Sequence, residues 1–151
     1  MKRLANLTVL LFLFPSVLSA QIPEAIKIVR LEYPRLAVAT GIRGTVEIRC
    51  SLAVDGTVAS AEIMEAVADI NDPALKEIRS KAVRDLLGSV AQENALQWTF
   101  KVATGQRAVT VLTYVFTIEG KDRPSGQSRF VFESPNLIRV IAEGYNFPML
   151  D

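Results

Sequence analysis

The feature that most constrains this chain is the stretch from Gly44 to Ile63, Gly-Thr-Val-Glu-Ile-Arg-Cys-Ser-Leu-Ala-Val-Asp-Gly-Thr-Val-Ala-Ser-Ala-Glu-Ile. Val46, Ile48, Cys50, Leu52 and Val54 alternate with Thr45, Glu47, Arg49, Ser51 and Ala53. A period of two is the mark of a strand with one buried and one wet face. Asp55-Gly56 follows and predicts a tight type I′ hairpin turn, because that turn needs positive φ angles. The second strand runs from Thr57 to about Ala66. Its apolar set, Val58 then Ala61 and Ile63, changes face once, which predicts a bulge near Ala59-Ser60. A lone hairpin is marginal in water, so the rest of the chain must cover its apolar face and add strands.

A chain of 151 residues, half of them hydrophobic and 22% charged, is large enough for one cored domain and too apolar for disorder. Its 17 basic and 16 acidic residues balance, which gives nucleic acid no basic field to bind. Histidine is absent, which removes the usual general base and the commonest metal ligand. Cys50, the single cysteine, excludes an internal disulfide and reads as a small buried hydrophobe. Ser51, Ser60 and Ser80 have no partner in a catalytic motif. No catalytic residue, metal site or cofactor is expected. Asp69, Asn71 and Asp72 lack calcium-loop spacing and read as a helix cap.

The N-terminus carries an address. Lys2 and Arg3 precede an apolar run, Leu4 to Leu18, broken by Pro15 and followed by the small residues Ser19 and Ala20. Residues 1–20 therefore read as a cleaved secretory signal peptide, and the mature chain as periplasmic or secreted. The alternative is an inner-membrane anchor formed by residues 4–20, for which the apolar run is slightly short. Without the leader the balance is 15 basic to 16 acidic residues.

Along the rest of the chain, Pro23-Glu24-Ala25 predicts a helix start, with Ala25, Ile26, Val29 and Leu31 as a loose apolar stripe. A second short helix is expected over Pro34 to Ala39, with Leu36 and Ala37 inward and Gly41 at its C-terminal end. Asn71 or Asp72 caps a helix from Pro73 to Leu96, whose apolar set is Leu75, Ile78, Ala82 and Leu86 with Val83, Leu87 and Val90, resuming through Ala91, Ala95 and Leu96 after a kink or split at Gly88-Ser89. Lys76, Arg79, Lys81 and Arg84 make a solvated basic face. Trp98 and Phe100 suit a strand start or packed corner. Arg107 to Ile118 is a third strand, and Glu119 to Gln127 a loop. Arg129 to Glu133 and Leu137 to Ala142 are short strands separated by the Ser134-Pro135-Asn136 turn, and the tail through Tyr145 and Phe147 is irregular.

With these elements in place, the chain from Tyr33 to about Ile118 resembles the TonB C-terminal domain family. The resemblance rests on Tyr33-Pro34-x-x-Ala37, Gly41, Gly44-x-Val46, Val54-Asp55-Gly56-x-Val58, Trp98-x-Phe100 and the strand from Val109 to Phe116. It implies an α+β fold, with helices on one face of a three-stranded antiparallel sheet in the order helix, strand, strand, helix, strand. The pattern reading reaches the same order. Residues 21–119 would form this domain, and residues 120–151 a loop and C-terminal strand extension.

The resemblance further implies a protein that is not an enzyme. Such a domain binds an extended segment of an outer-membrane receptor by adding it to a sheet edge, in the service of transmembrane transport. The implied edge is the third strand, with Arg107, Val109, Thr110, Leu112, Tyr114 and Phe116 as partner-binding residues. Tyr33, Pro34, Ala37, Gly41, Gly44, Asp55, Gly56, Trp98 and Phe100 would be structural. Apolar residues of this kind are also what a sheet core contains with no partner at all. Three features depart from the family: no Pro-rich spacer follows the apolar N-terminus, the helix from Pro73 is long, and Gly120 to Asp151 lies outside the match. The extension, through Arg129 to Glu133, is expected to pair with the implied binding edge and fill it at least partly. The rival reading is a structural or homodimeric subunit of an envelope complex whose edge is self-occupied.

Overall fold

The computed structural model describes residues 22–120 and 128–143. The expected signal peptide, the centre of the expected loop and the C-terminal tail lie outside them. The elements are β1 (Glu24–Lys27), α1 (Arg35–Ala39), β2 (Gly44–Leu52), β3 (Val58–Ala68), α2 (Pro73–Ala82), a π-helical segment (Val83–Gly88), α3 (Ser89–Ala95), β4 (Thr99–Lys101), β5 (Ala108–Glu119), β6 (Ser128–Glu133) and β7 (Leu137–Glu143). The fold is α+β. A five-stranded sheet has the order β3-β2-β5-β7-β6, and β1 pairs with β4 in a separate two-stranded sheet. As expected, β3, β2 and β5 form an antiparallel core; the C-terminal extension makes the whole sheet mixed, because β7 runs parallel to β5.

The β2–β3 hairpin forms where its alternation places it, and Val46, Ile48, Cys50 and Leu52 are buried. The expected bulge is present: Ser51 faces Ser60 while Leu52 faces Val58, leaving Ala59 extra. A second leaves Met64 extra between Ile63 and Glu65. Each extra residue reverses the alternation. Together they hold Val58, Ala61, Ile63, Ala66 and Ala68 on the face that packs the core.

The turn departs from expectation. Among the described residues no residue other than glycine has a positive φ, so Asp55 cannot belong to a type I′ turn. The Gly56 N–H instead donates to the Ala53 carbonyl at 3.0 Å, and the Ala53 N–H to the Thr57 carbonyl at 2.8 Å, with only Gly56 left-handed at φ 84°. This is a longer loop of the bulged kind. It leaves Val54 exposed rather than in the strand's buried set.

The N-terminal helix expected from Pro23 is the strand β1, with Ala25 opposite Phe100. Its apolar stripe was loose, and pairing with β4 satisfies its backbone instead. The short helix α1 buries Ala37 but leaves Leu36 exposed. It ends as Gly41 predicts. The Ile42 N–H reaches the Ala37 carbonyl at 2.8 Å and the Gly41 N–H the Val38 carbonyl at 3.1 Å, a Schellman cap with Gly41 at φ 65°.

Asp72 caps α2 by accepting the Ala74 N–H at 2.9 Å. The expected irregularity falls at Gly88, as the end of the π segment. Its consequence is a change of phase. Val83, Leu87, Ala91 and Ala95 are all fully buried and recur every four residues. On a pure α-helix such a stripe drifts by about 40° per step, and the wider π turn takes up part of that drift. The face carrying Leu75 and Ile78 is thereby turned away from the sheet, and both are exposed.

Candidate functional site

The family resemblance places a binding edge on β5, so the geometry of the sheet edges decides what is available. Register fixes which side chains share a face. Tyr114 lies beside Val46 on β2 and Ile138 on β7, and Ile138 beside Phe132 on β6. Phe116 lies beside Val140, and Val140 beside Phe130. Leu112, Tyr114, Phe116, Ile138 and Val140 are all completely buried. The extension therefore completes the core. Trp98 makes an edge contact with Phe132, ring centroids 5.5 Å apart, and stacks on Phe100 at 6.1 Å.

The expected filling of β5 is present, but β7 does it. β7 pairs with β5 from Thr113 to Glu119, and β6 lies outside it rather than against β5. Sequence reasoning missed this because both strands have the same alternating character. The deciding contacts belong to Asn136 in the intervening turn, whose carbonyl accepts the Thr113 N–H at 3.0 Å and whose Nδ2 donates to the Val111 carbonyl at 2.6 Å. They seat the start of β7, not β6, against the middle of β5.

Of the residues assigned to partner binding, Leu112, Tyr114 and Phe116 point into the core. Thr110 is 5% exposed, and its Oγ1 has no hydrogen-bond partner among the described residues. Arg107, just before β5, and Val109, 51% exposed, remain accessible at the end that β7 does not reach. The residues read as structural lie in packed positions and turns. The Tyr33 hydroxyl donates to the Ile42 carbonyl at 2.8 Å, and its ring meets Phe116 edge-on at 5.4 Å. Pro34, extended at ψ 127°, opens α1, and Ala37 is buried beneath it. Gly44 lies so close to the Val67 carbonyl that a Cβ would collide with it. Asp55 Oδ1 accepts from the Thr57 N–H at 3.0 Å and from its hydroxyl at 2.6 Å, which holds the Asp55 carboxyl below its usual range.

With β5 filled, β3 and β6 are the outer strands of the sheet. β3 is interrupted twice by bulges and carries Glu62 and Glu65, features that discourage pairing with another chain. β6 pairs with β7 in unbroken register from Ser128 to Glu133. Its first residue is held by the N-terminal segment, as Arg30 donates to the Ser128 carbonyl at 2.6 Å and the Tyr33 N–H to Ser128 Oγ at 3.1 Å. Among the described residues, the backbone of Arg129–Glu133 makes no hydrogen bond beyond the β7 ladder. Phe130 and Phe132 face the core, while Arg129, Val131 and Glu133 alternate on the other face. Arg129 pairs with Glu119 at 3.3 Å and Glu133 with Arg139 at 2.7 Å, exposed contacts of small energetic weight.

Burial pushes the Cys50 thiol up to about 12, far from a reactive thiolate. No cluster of metal-ligating side chains occurs among the described residues. A cavity of about 290 Å³ beside α1 holds Arg43 and Arg79, but Arg43 pairs with Asp69 at 3.2 Å and Arg79 donates to the Thr40 carbonyl at 3.4 Å. No helix among the described residues is long and apolar enough to cross a membrane.

The geometry is that of a helix-backed α+β sheet whose outermost strand, β6, pairs on one side only among the described residues. The chain belongs to the family of Gram-negative bacterial TonB protein C-termini, whose model matches residues 29–119. These are periplasmic domains of transport energy transduction. The match ends where β5 ends, so β6 and β7 lie beyond it. Comparison with curated proteins gives no match.

Proposed function

We propose that this domain binds an extended protein segment by strand addition and that β6 is the receiving edge. The observation that carries the reading is the position of β7. It occupies the flank of β5 from Thr113 to Glu119 with Ile138 and Val140 in the core, and so moves the free edge outward by two strands. An edge strand offers unpaired N–H and C=O groups at alternate residues, and a partner strand that satisfies them gains main-chain hydrogen bonds with side-chain pockets for selectivity. On this reading Leu112, Tyr114 and Phe116 support the sheet from within. Arg107 and Val109 are reachable only at the uncovered end of β5. The partner class is an extended protein segment, from an outer-membrane receptor, another envelope protein or a second copy of this chain, and the membrane is engaged only through that partner or an uncleaved N-terminus.

The test is a titration of the chain from Gln21 to Asp151 with extended peptides from outer-membrane receptor plug regions, following backbone amide shifts. Shifts concentrated on Arg129–Glu133 support the reading. Shifts on Ala108–Leu112 return the site to β5, and shifts on neither strand dismiss strand addition by these peptides.

The filled β5 edge also favours a second reading, a subunit of an envelope complex whose strands serve assembly. Co-purification of a fixed envelope partner with no response to receptor peptides would select it.

A further inference from the structure

We propose that the extended segment β6 receives is β6 of a second copy of this chain, paired antiparallel about a two-fold axis at Val131. The proposal rests on the strand-addition reading above and names the partner. Its basis is the order of charges on the outer face of β6, Arg129, Val131, Glu133. Reversed, as an antiparallel neighbour presents it, that order reads Glu, Val, Arg. With Val131 opposite Val131 of the second copy, each Arg129 lies opposite a Glu133, twice over by symmetry. On the core side each Phe130 lies opposite a Phe132, again twice. Opposite charges, β-branched pairs and aromatic pairs are the cross-strand neighbours that stabilise a sheet.

The register is selected by repulsion as well as attraction. Centring the axis on Arg129 or on Glu133 puts like charges face to face, and centring it on Phe130 or Phe132 puts a charge opposite Val131. Parallel pairing in register sets Arg129 beside Arg129. Only the Val131 register satisfies every charged position, and a self-complementary patch is what a two-fold interface requires. The existing ion pairs extend it, since Glu119 and Arg129 of one copy continue into Glu133 and Arg139 of the other, an alternating row of four charges. Phe130 and Phe132 are only partly buried and β6 is free of bulges, so the core can continue across the join into a ten-stranded sheet.

The experiment is light scattering on the chain from Gln21 to Asp151, which contains every described element, from about 1 µM to about 300 µM, since so small a contact belongs to the weak class of interfaces. The wild-type mass is expected to rise toward twofold with concentration. Arg129→Glu and Glu133→Arg are each expected to stay at the single-chain mass, because each sets like charges opposite one another. Mixed in equal amounts they are expected to recover the doubled mass, because one copy then presents two carboxylates and the other two guanidinium groups, and every cross-strand pair is again opposite in sign. A folding defect would not be repaired by mixing. A wild-type chain that stays monomeric throughout, a single variant that still dimerises, or a mixture that does not recover overturns the proposal. If the wild type is monomeric while receptor peptides shift the Arg129–Glu133 amides, the second copy is excluded and strand addition at β6 stands.

Discussion

The Tyr114 hydroxyl donates to Asn94 Oδ1 at 2.9 Å, joining the middle strand of the sheet to the helix that covers it. The same oxygen accepts the Trp98 indole N–H at 3.0 Å, and Asn94 Nδ2 donates to the Val29 carbonyl at 3.0 Å. One side chain, 3% exposed, thus ties the helix, β5, the aromatic corner and the N-terminal segment together. Asn94→Ala takes the acceptor from two buried donors, the Trp98 indole and the Tyr114 hydroxyl, and the donor from two carbonyls, those of Val29 and Arg30. At roughly 1–3 kcal/mol for each buried group left unsatisfied, a loss of about 3 kcal/mol is expected, read as a fall in urea midpoint with unchanged slope.

Because β7 is core, removing the extension does not liberate a small TonB-type domain. Cutting after Gly120 uncovers Tyr114, Phe116 and Trp98, and total stabilities are only about 5–15 kcal/mol. The shortened chain is expected to lose cooperative unfolding and to bind a hydrophobic dye. Ile138→Ala, a milder probe of the same contact, is expected to cost about 3 kcal/mol. A truncated chain that unfolds as sharply as the full one would show that β6 and β7 are dispensable.

Gly56 and Gly105 separate two costs. Both are left-handed, at φ 84° and 73°, but a Cβ on Gly56 would strike the Phe100 carbonyl, whereas Gly105 faces open space. The Gly56 carbonyl also accepts the Phe100 N–H at 2.8 Å, so the turn cannot retreat without breaking that bond. Gly105→Ala is expected to cost about 1 kcal/mol from backbone strain alone. Gly56→Ala is expected to cost at least about 3 kcal/mol. Thermal unfolding of the two variants side by side gives the comparison.

Alkaline unfolding has a definite direction. Burial raises the pKa values of Cys50, Tyr33 and Tyr114, Cys50 to about 12 and both tyrosines above their ordinary value of 10.0. The unfolded chain therefore releases these protons first. The stability involved is fully present below the unfolded values and is lost as pH rises from about 9 through the folded values. With no histidine in the chain, no step from imidazole titration is expected near neutrality. Denaturant midpoints that are level from about pH 7 to 8 and fall beyond about pH 9 would agree; a midpoint that rises there would contradict the burial of these groups.

The sequence by itself determined the hairpin and its first bulge, the glycine cap after α1, the Asp72 cap, the third strand and the order of the antiparallel core. Each depends on residues near one another in the chain: alternation, a turn glycine, a cap. It also carried the family, through short motifs that prove to be structural contacts, such as Tyr33 against Phe116 and Gly44 against Val67. Only the tertiary structure decided that Glu24–Lys27 is a strand, because its partner Thr99–Lys101 lies far along the chain. The same holds for Asn94, an ordinary helix residue until Tyr114 and Trp98 are brought to it. It holds above all for β6 and β7, two strands with similar alternation competing for one edge. Periodicity says which face of a strand is buried and is silent on which neighbour it takes; here two hydrogen bonds between Asn136 and β5, one accepted and one donated by Asn136, seat β7 against β5 and leave β6 as the outer strand.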